Sequence, residues 1–224
     1  MSEAKAKPRG RPRAFDPGKA LQEAREVFWD AGYAASSLDE LSAAMHMNRP
    51  SVYAAFGDKE ALYLQALEGY RDEGAAAIRV ALDPGKPLAE GLRALYAGAL
   101  DLYFSNAPAP RGCFLIGTAA TEAVRNERVR ATYRGSLALF DALFEERFRL
   151  AKKTGEIDAK ADPVLLARLA DSILFSLAVR SRSGESRAAC AALAEAGVAM
   201  LCGSAGAQTT GRRRNGRKTA AISE

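Results

Sequence analysis

Residues 37–63 read SLDELSAAMHMNRPSVYAAFGDKEALY, and the fold depends on how this stretch is parsed. Ser37 and Glu40 stand three apart ahead of an apolar run. At that spacing a serine hydroxyl and a glutamate carboxylate satisfy each other's exposed amides at a helix start. Leu38, Leu41 and Met45 then give the short helix one buried side. After the four residues Met45 to Asn48, the Asn48 side chain can cap a third helix whose first turn tolerates Pro50. That helix is brief, Ser51 to Ala55, and runs out at Phe56-Gly57. Asp58 caps a much longer one from Lys59 to about Ala81. Two short helices across a tight turn are the physical description of a helix-turn-helix, whose second helix enters the major groove of DNA.

Upstream, Asp16-Pro17 is a cap followed by a first-turn proline, and Leu21, Ala24, Phe28 and Ala31 mark one face of a helix that Gly32 stops. Downstream, Asp83-Pro84-Gly85 and Pro87 interrupt the pattern and separate a small N-terminal unit from a larger body. Helical periodicity then predicts elements at about 87–105, 113–124, 127–153, 163–181 and 186–202, with no alternating strand pattern between them. The expected organisation is a basic disordered arm at 1–13, a helix-turn-helix domain at 14–60 whose fourth helix continues to about 81, a helical body at 82–202, and a basic disordered tail at 203–224. The fold class is all-α.

The chain has 224 residues and a formal charge of +5, but the distribution of that charge matters more than its sum. Lys5, Lys7, Arg9, Arg11 and Arg13 against Glu3 give the first 13 residues +4, and Arg212, Arg213, Arg214, Arg217 and Lys218 against Glu224 give residues 203–224 another +4. The body between them is therefore mildly acidic, at −3. Residues 14–73 hold five basic and eleven acidic side chains, so this head is a weak electrostatic binder unaided. Three cysteines in no paired motif and one histidine argue against a zinc site or a disulfide framework and for a reduced cytoplasm. No apolar run is long enough for a bilayer span.

The run from Ser37 to Tyr63 resembles the N-terminal domain of the TetR family of transcriptional regulators. The likeness lies in the capped second helix, the tight turn, the Val52-Tyr53 pair followed by Phe56, and the Lys59-Glu60-x-Leu62 opening of the fourth helix. With Phe15 to Tyr33 included, about 60 residues are covered. The resemblance implies a DNA-binding head on a helical body that binds an effector and dimerises. Ser37 at the start of helix two, and Asn48, Arg49, Ser51 and Tyr53 on helix three, can all donate hydrogen bonds to phosphates or base edges. Arg49 is the expected base reader, because its fork can bind guanine at two points. Tyr53 matches the family's helix-three tyrosine, the alternative being a core ring with its hydroxyl at the surface. Lys59 matches the family's phosphate-binding lysine at the positive end of a helix. Val52 and Phe56 are assigned to the core. Where the family usually has glycine in the turn, this chain has His46, which must then adopt a left-handed backbone. His46 either reaches DNA or is simply solvated.

In the body, Tyr96, Tyr103, Phe104, Phe114, Tyr133, Phe140 and Phe144 gather aromatics on the middle helices, either as a pocket for a small hydrophobic or aromatic effector or as plain core. Cys113 beside them is either a thiol sensor or an inert buried cysteine. The ridge Leu166, Leu169, Ile173, Leu177 and the small residues Ala189, Ala192, Ala196, Ala199 of the last helix are what the resemblance implies for a homodimer interface; internal packing competes for the same side chains. A dimer would present two recognition helices about 34–36 Å apart to a palindromic operator.

KPRGRPR at residues 7–13 resembles an AT-hook core, in which glycine lets the backbone lie deep in the minor groove between arginines. Placed directly before helix one it reads as an arm, with Arg9 and Arg11 in the minor groove and Lys7 and Arg13 on phosphates. A solvated tail is the alternative. The expected function is a ligand-responsive repressor that binds double-stranded operator DNA and needs no cofactor or membrane. A sequence-nonspecific architectural DNA-binding protein is the second reading. An enzyme fits poorly, since no Gly-rich phosphate loop, GxSxG or metal-ligand cluster is present.

Overall fold

The computed structural model describes residues 16–105 and 109–203. Helices account for most of it, and no strand occurs among the described residues. The element order is α1 (Pro17–Ala35), α2 (Leu38–Ala44), α3 (Arg49–Phe56), α4 (Lys59–Ala81), α5 (Leu88–Tyr103), a π-helical turn (Leu115–Ala119) running into α6 (Ala120–Glu122), α7 (Glu127–Thr154), α8 (Pro163–Arg182) and α9 (Arg187–Cys202). The expected basic arm, and the expected tail except Gly203, lie outside the described residues.

The helix starts follow local chemistry. Asp16 accepts from the Gly18 and Lys19 amides, Asn126 from those of Arg128 and Val129, Asp162 from those of Val164 and Leu165, and Ser186 from that of Ala189. Each satisfies backbone donors that a helix start otherwise leaves open. Gly32 interrupts α1 as expected, with φ +80°, yet a further turn reaches Ala35 before the Ser36 cap. Ala31, expected on the buried face, is exposed; Trp29 is buried instead.

The described chain divides between Gly69 and Tyr70, inside α4. The aromatic partners explain why the division does not fall at the Asp83-Pro84-Gly85 turn. In the first unit Tyr63 meets Phe28 edge-on at 5.0 Å and Tyr33 at 4.8 Å, and Leu41, Val52, Phe56 and Leu62 complete the core. In the second unit Tyr70 meets Phe114 at 5.6 Å. Each half of the helix is thus committed to a different interior.

In the second unit α7 packs on α8, and α9 packs on α5 and α8. Two glycines allow close approaches to α8, one from α9 and one from the loop before the π-helical turn. A Cβ at Gly197 of α9 would lie 2.5 Å from Ile173 Cδ1 of α8, and one at Gly112, where φ is +67°, would lie 2.5 Å from the Ala178 carbonyl oxygen. The Arg147 side chain is almost wholly buried and pairs with Glu156 at 2.9 Å while also donating to the Lys86 carbonyl. Glu156 accepts the Leu88 amide as well, which fixes the start of α5 where Pro87 provides no side-chain cap. The 113–124 stretch differs from the expected α-helix in its π-helical turn, in which the Ala120 amide bonds back to Leu115. Such turns often occur at functional sites.

Candidate functional site

The head contains the helix-turn-helix in detail. At the start of α2, Ser37 Oγ accepts the Glu40 amide at 3.1 Å, and the Glu40 carboxylate accepts the Ser37 amide at 2.8 Å. The reciprocal cap uses one acceptor site on each side chain and leaves the Ser37 hydroxyl proton free to donate at an exposed position. The turn closes through the Met47 amide on the Ser42 carbonyl. His46 carries φ +51°, the one non-glycine residue with positive φ among those described. It is exposed and occupies the left-handed position expected of it.

Asn48 Oδ1 accepts the Ser51 amide at 2.9 Å and caps α3. The cap uses the Asn48 carbonyl and leaves its amide hydrogens outward, while Val52 and Phe56 turn inward. Tyr53 is 53% exposed, so it is not a core ring; it projects from the same helix as Arg49 and Ser51. Lys59 begins α4, where Asp58 caps by accepting the Ala61 amide at 2.8 Å. The Lys59 ammonium sits 4.6 Å from the centre of the Tyr33 ring, a cation–π contact that steers it without neutralising it.

Sequence reading missed the partner of Arg49. Arg49 Nε donates to Asp39 Oδ1 at 2.6 Å and Nη2 donates to Asp39 Oδ2, a bidentate pair between α3 and α2. The Arg49 guanidinium holds the Asp39 carboxyl below its usual range. Geometry limits what this pair costs in recognition. A guanidinium has a side edge, formed by Nε–H and one Nη2–H, and an end edge formed by Nη1–H and the other Nη2–H. Asp39 fills the side edge and leaves the end edge with two parallel donors. Those donors match the O6 and N7 acceptors of guanine. Asp39 therefore restrains Arg49 without covering its end edge. The signal was present in the sequence as an acidic residue in the first turn of α2 and a basic one at the start of α3, but the packing of the two helices was needed to bring them together.

In the body, Tyr96, Tyr103, Phe114, Phe140 and Phe144 are buried, and Phe104 and Tyr133 are half-buried. Tyr96 donates to the Ala170 carbonyl at 3.1 Å, and Tyr70 to Cys113 Sγ at 3.5 Å. Burial pushes the Cys113 thiol up, the opposite of what a reactive thiolate needs. A cavity of about 430 Å³ lies elsewhere, lined by Ile78, Leu82, Leu143 and Leu150 with Arg79, Glu146 and Arg147 at its polar side. It shares no residue with the aromatic set.

The ridge expected at a dimer interface divides. Leu177 is fully buried inside the protomer and Ile173 packs against Gly197, so these two serve the internal core; Leu177 is corrected out of the interface. Leu169 is 48% exposed and Leu166 half-buried. Ala189, Ala192, Ala196 and Ala199 all lie on the exposed side of α9, joined by Met200 at 83% exposure.

Residues 20–66 match the profile described as bacterial regulatory proteins, tetR family, and residues 89–196 match the tetracyclin repressor-like C-terminal domain. The HTH-type transcriptional repressor ComR of Escherichia coli K12 is 31% identical over 180 residues, covering 80% of this chain and 86% of ComR. The chain belongs to the TetR family of transcriptional regulators. Another relative, the E. coli repressor BdcR, is 33% identical over 107 residues, 48% of this chain and 54% of its own. Among solved structures, a cysteine mutant of the TetR family regulator CifR in complex with 26-bp double-strand operator DNA superposes with a TM-score of 0.75 at 36% identity, covering 84% of this chain and 98% of that one. The TetR-type head thus spans α1 to the first part of α4, and the TetR-type body carries the buried aromatics of α5 and α7. No helix among the described residues is long and apolar enough to cross a membrane, and no group of three or more His, Cys, Asp or Glu there could hold a metal.

Proposed function

We propose that this TetR-family regulator is a homodimeric repressor that binds a palindromic operator and is released from it by a small hydrophobic or aromatic effector. The observation that carries the DNA-reading part is the Asp39-restrained Arg49, whose open end edge stands on the exposed side of α3 beside Asn48, Ser51 and Tyr53. A restrained fork loses less rotamer entropy on meeting guanine than a free one, which favours a specific base contact over a wandering phosphate contact. Ser37 and Lys59 then supply phosphate contacts that set register.

The acidic head needs a source of positive charge, and the basic N-terminal arm supplies it. Arg9 and Arg11 probe an A·T-rich minor groove while Arg13 meets phosphate. Two of the relatives are named repressors, which favours repression over activation. The exposed apolar and small residues of α8 and α9, Leu169, Ala192, Ala196 and Met200 among them, provide the surface for a second copy. An effector in the aromatic interior of the body would favour a head spacing that misfits the operator, a coupling of the size and sign of its differential affinity for the two states.

Footprinting of the full chain on genomic DNA, with light scattering of the free protein, tests this reading. A short protected palindrome and a dimer mass are expected. Protection without sequence preference would replace the proposal with an architectural role, and a monomer that still protects a palindrome would remove the α8–α9 interface.

A further inference from the structure

One buried group in the body has no structural employment. Asp171 lies on α8 with only 3% of its surface exposed, and its Oδ1 has no hydrogen-bond partner. Its neighbours on the same helix face are Ala167, Leu174 and Ala178, all buried. Burying an unpaired carboxylate costs several kcal/mol in general, and an alanine or leucine here would have avoided that cost.

The surroundings narrow what could satisfy it. The Asp171 charge is felt at the phenols of Tyr96 and Tyr103 from α5, at the Cys113 thiol, and at the Tyr133 phenol from α7. The charged group acting on Asp171 in turn is another acid, Asp141 of α7. No cation is among the groups that shift the Asp171 carboxyl. The interior therefore offers a carboxylate lacking a donor, near enough to the phenols of Tyr96, Tyr103 and Tyr133 for its charge to act on them. Tyr133 is half-buried, so one member of the set borders solvent.

We propose that Asp171 is the recognition group for the effector, and that the effector is an aromatic or otherwise apolar amine whose ammonium pairs with this carboxylate. The inference rests on the effector reading above and gives it a chemical class. An incoming ammonium supplies the missing donors, offsets the repulsion from Asp141 and places its apolar part among the rings. A neutral molecule of the same shape gains only the last of these, and a carboxylate adds a second repulsion. Binding also carries a proton signature. Burial and Asp141 push the Asp171 carboxyl up to about 7, so below that pH the amine must displace a proton before pairing. Tyr96, Tyr103, Tyr133 and Cys113, all pushed upward by burial, stay neutral through this range.

The experiment uses the full-length protein on its operator and matched probes: the phenyl, naphthyl and biphenyl methylamines, the corresponding methanols, and the corresponding carboxylates. Calorimetry measures binding, and loss of the protein–DNA complex measures release. The amine of at least one scaffold is expected to bind tenfold or more tightly than its alcohol, with the carboxylate weakest. Its affinity should rise about tenfold per pH unit from 5.5 to 7 and level off above. Asp171→Asn, with folding verified by thermal unfolding, should bring the amine down to the level of the alcohol. The pH profile of the unaltered protein provides the same test without any substitution. Alcohols that bind and release DNA as well as amines, in both proteins, would overturn the amine proposal and leave the effector reading intact. Absence of binding by all three classes, in protein that still holds its operator, would overturn both.

Discussion

Replacing Asp171 by asparagine should reshape the pH dependence of stability, whatever the effector turns out to be. The folded protein holds a proton on Asp171 up to about pH 7, whereas the unfolded chain gives it up at the ordinary value of 3.8. More protons are bound folded than unfolded across that window, so stability falls as pH rises from about 4 through 7 and is flat beyond. Three pH units at about 1.36 kcal/mol each put the full loss at about 4 kcal/mol, an upper figure for a group that relaxes or gains water when charged. Roughly 3 kcal/mol of this falls between pH 5 and 8. Asparagine keeps the shape and cannot ionise, but its amide replaces one unpaired polar group with another, at a cost of about 1–3 kcal/mol. The variant should therefore be more stable than the parent at pH 8 by about 1–3 kcal/mol, a rise of several degrees in Tm for a domain of this size. At pH 5 the two should be close, or the order reversed. Thermal and urea unfolding at one fixed protein concentration, from pH 5 to 8, give the difference curve; titrations shared by the two proteins cancel in it. Parallel curves, or a variant less stable at pH 8, would mean that Asp171 is partnered or hydrated in solution.

Three further outcomes follow from the geometry. His46→Gly relieves a left-handed backbone worth about 1–2 kcal/mol at a non-glycine residue, against about 0.5–1 kcal/mol of added unfolded-chain entropy. A gain of up to about 1 kcal/mol is expected by urea unfolding, with operator affinity unchanged if the histidine is merely solvated. Gly112→Ala combines a positive φ with a 2.5 Å approach to a backbone oxygen that cannot swing away, so a loss above about 2 kcal/mol is expected in the same assay. Asp39→Ala frees Arg49 and removes a negative charge from the head. Titrations against operator and random DNA should show tighter non-specific binding at low salt and a smaller specificity ratio; an unchanged ratio would deny Asp39 a role in reading.

Much of the head was legible because its signals are local. Ser37 and Glu40 declare their cap by spacing, Asn48 and Asp58 by position, and His46 its left-handed turn by standing where the fold needs one. Asp39 and Arg49 were legible as residues but not as a pair, since ten positions of sequence separate groups that only the crossing of α2 and α3 joins. The body was less readable. Leu177 and Leu169 belong to one apolar ridge in the sequence, but one packs inside the protomer and the other faces out, a difference set by which neighbouring helices pack along α8 and not by the ridge itself. The π-helical turn at Leu115–Ala119 leaves no mark on a periodicity of three and four over so short a run. Asp171 did carry a signal that went unread, an acid on the same face as Ala167, Leu174 and Ala178, where a charge has no ordinary reason to be.

The central claim is that α3 reads bases through an arginine restrained by Asp39. Selection of bound sequences from a random DNA pool, run in parallel with the full chain and with Arg49→Ala, tests it most directly. A short palindrome carrying a guanine in each half-site is predicted for the unaltered protein, with that guanine alone losing its preference in the variant. Enrichment of no short palindrome, or the same guanine enriched equally without Arg49, would contradict the account.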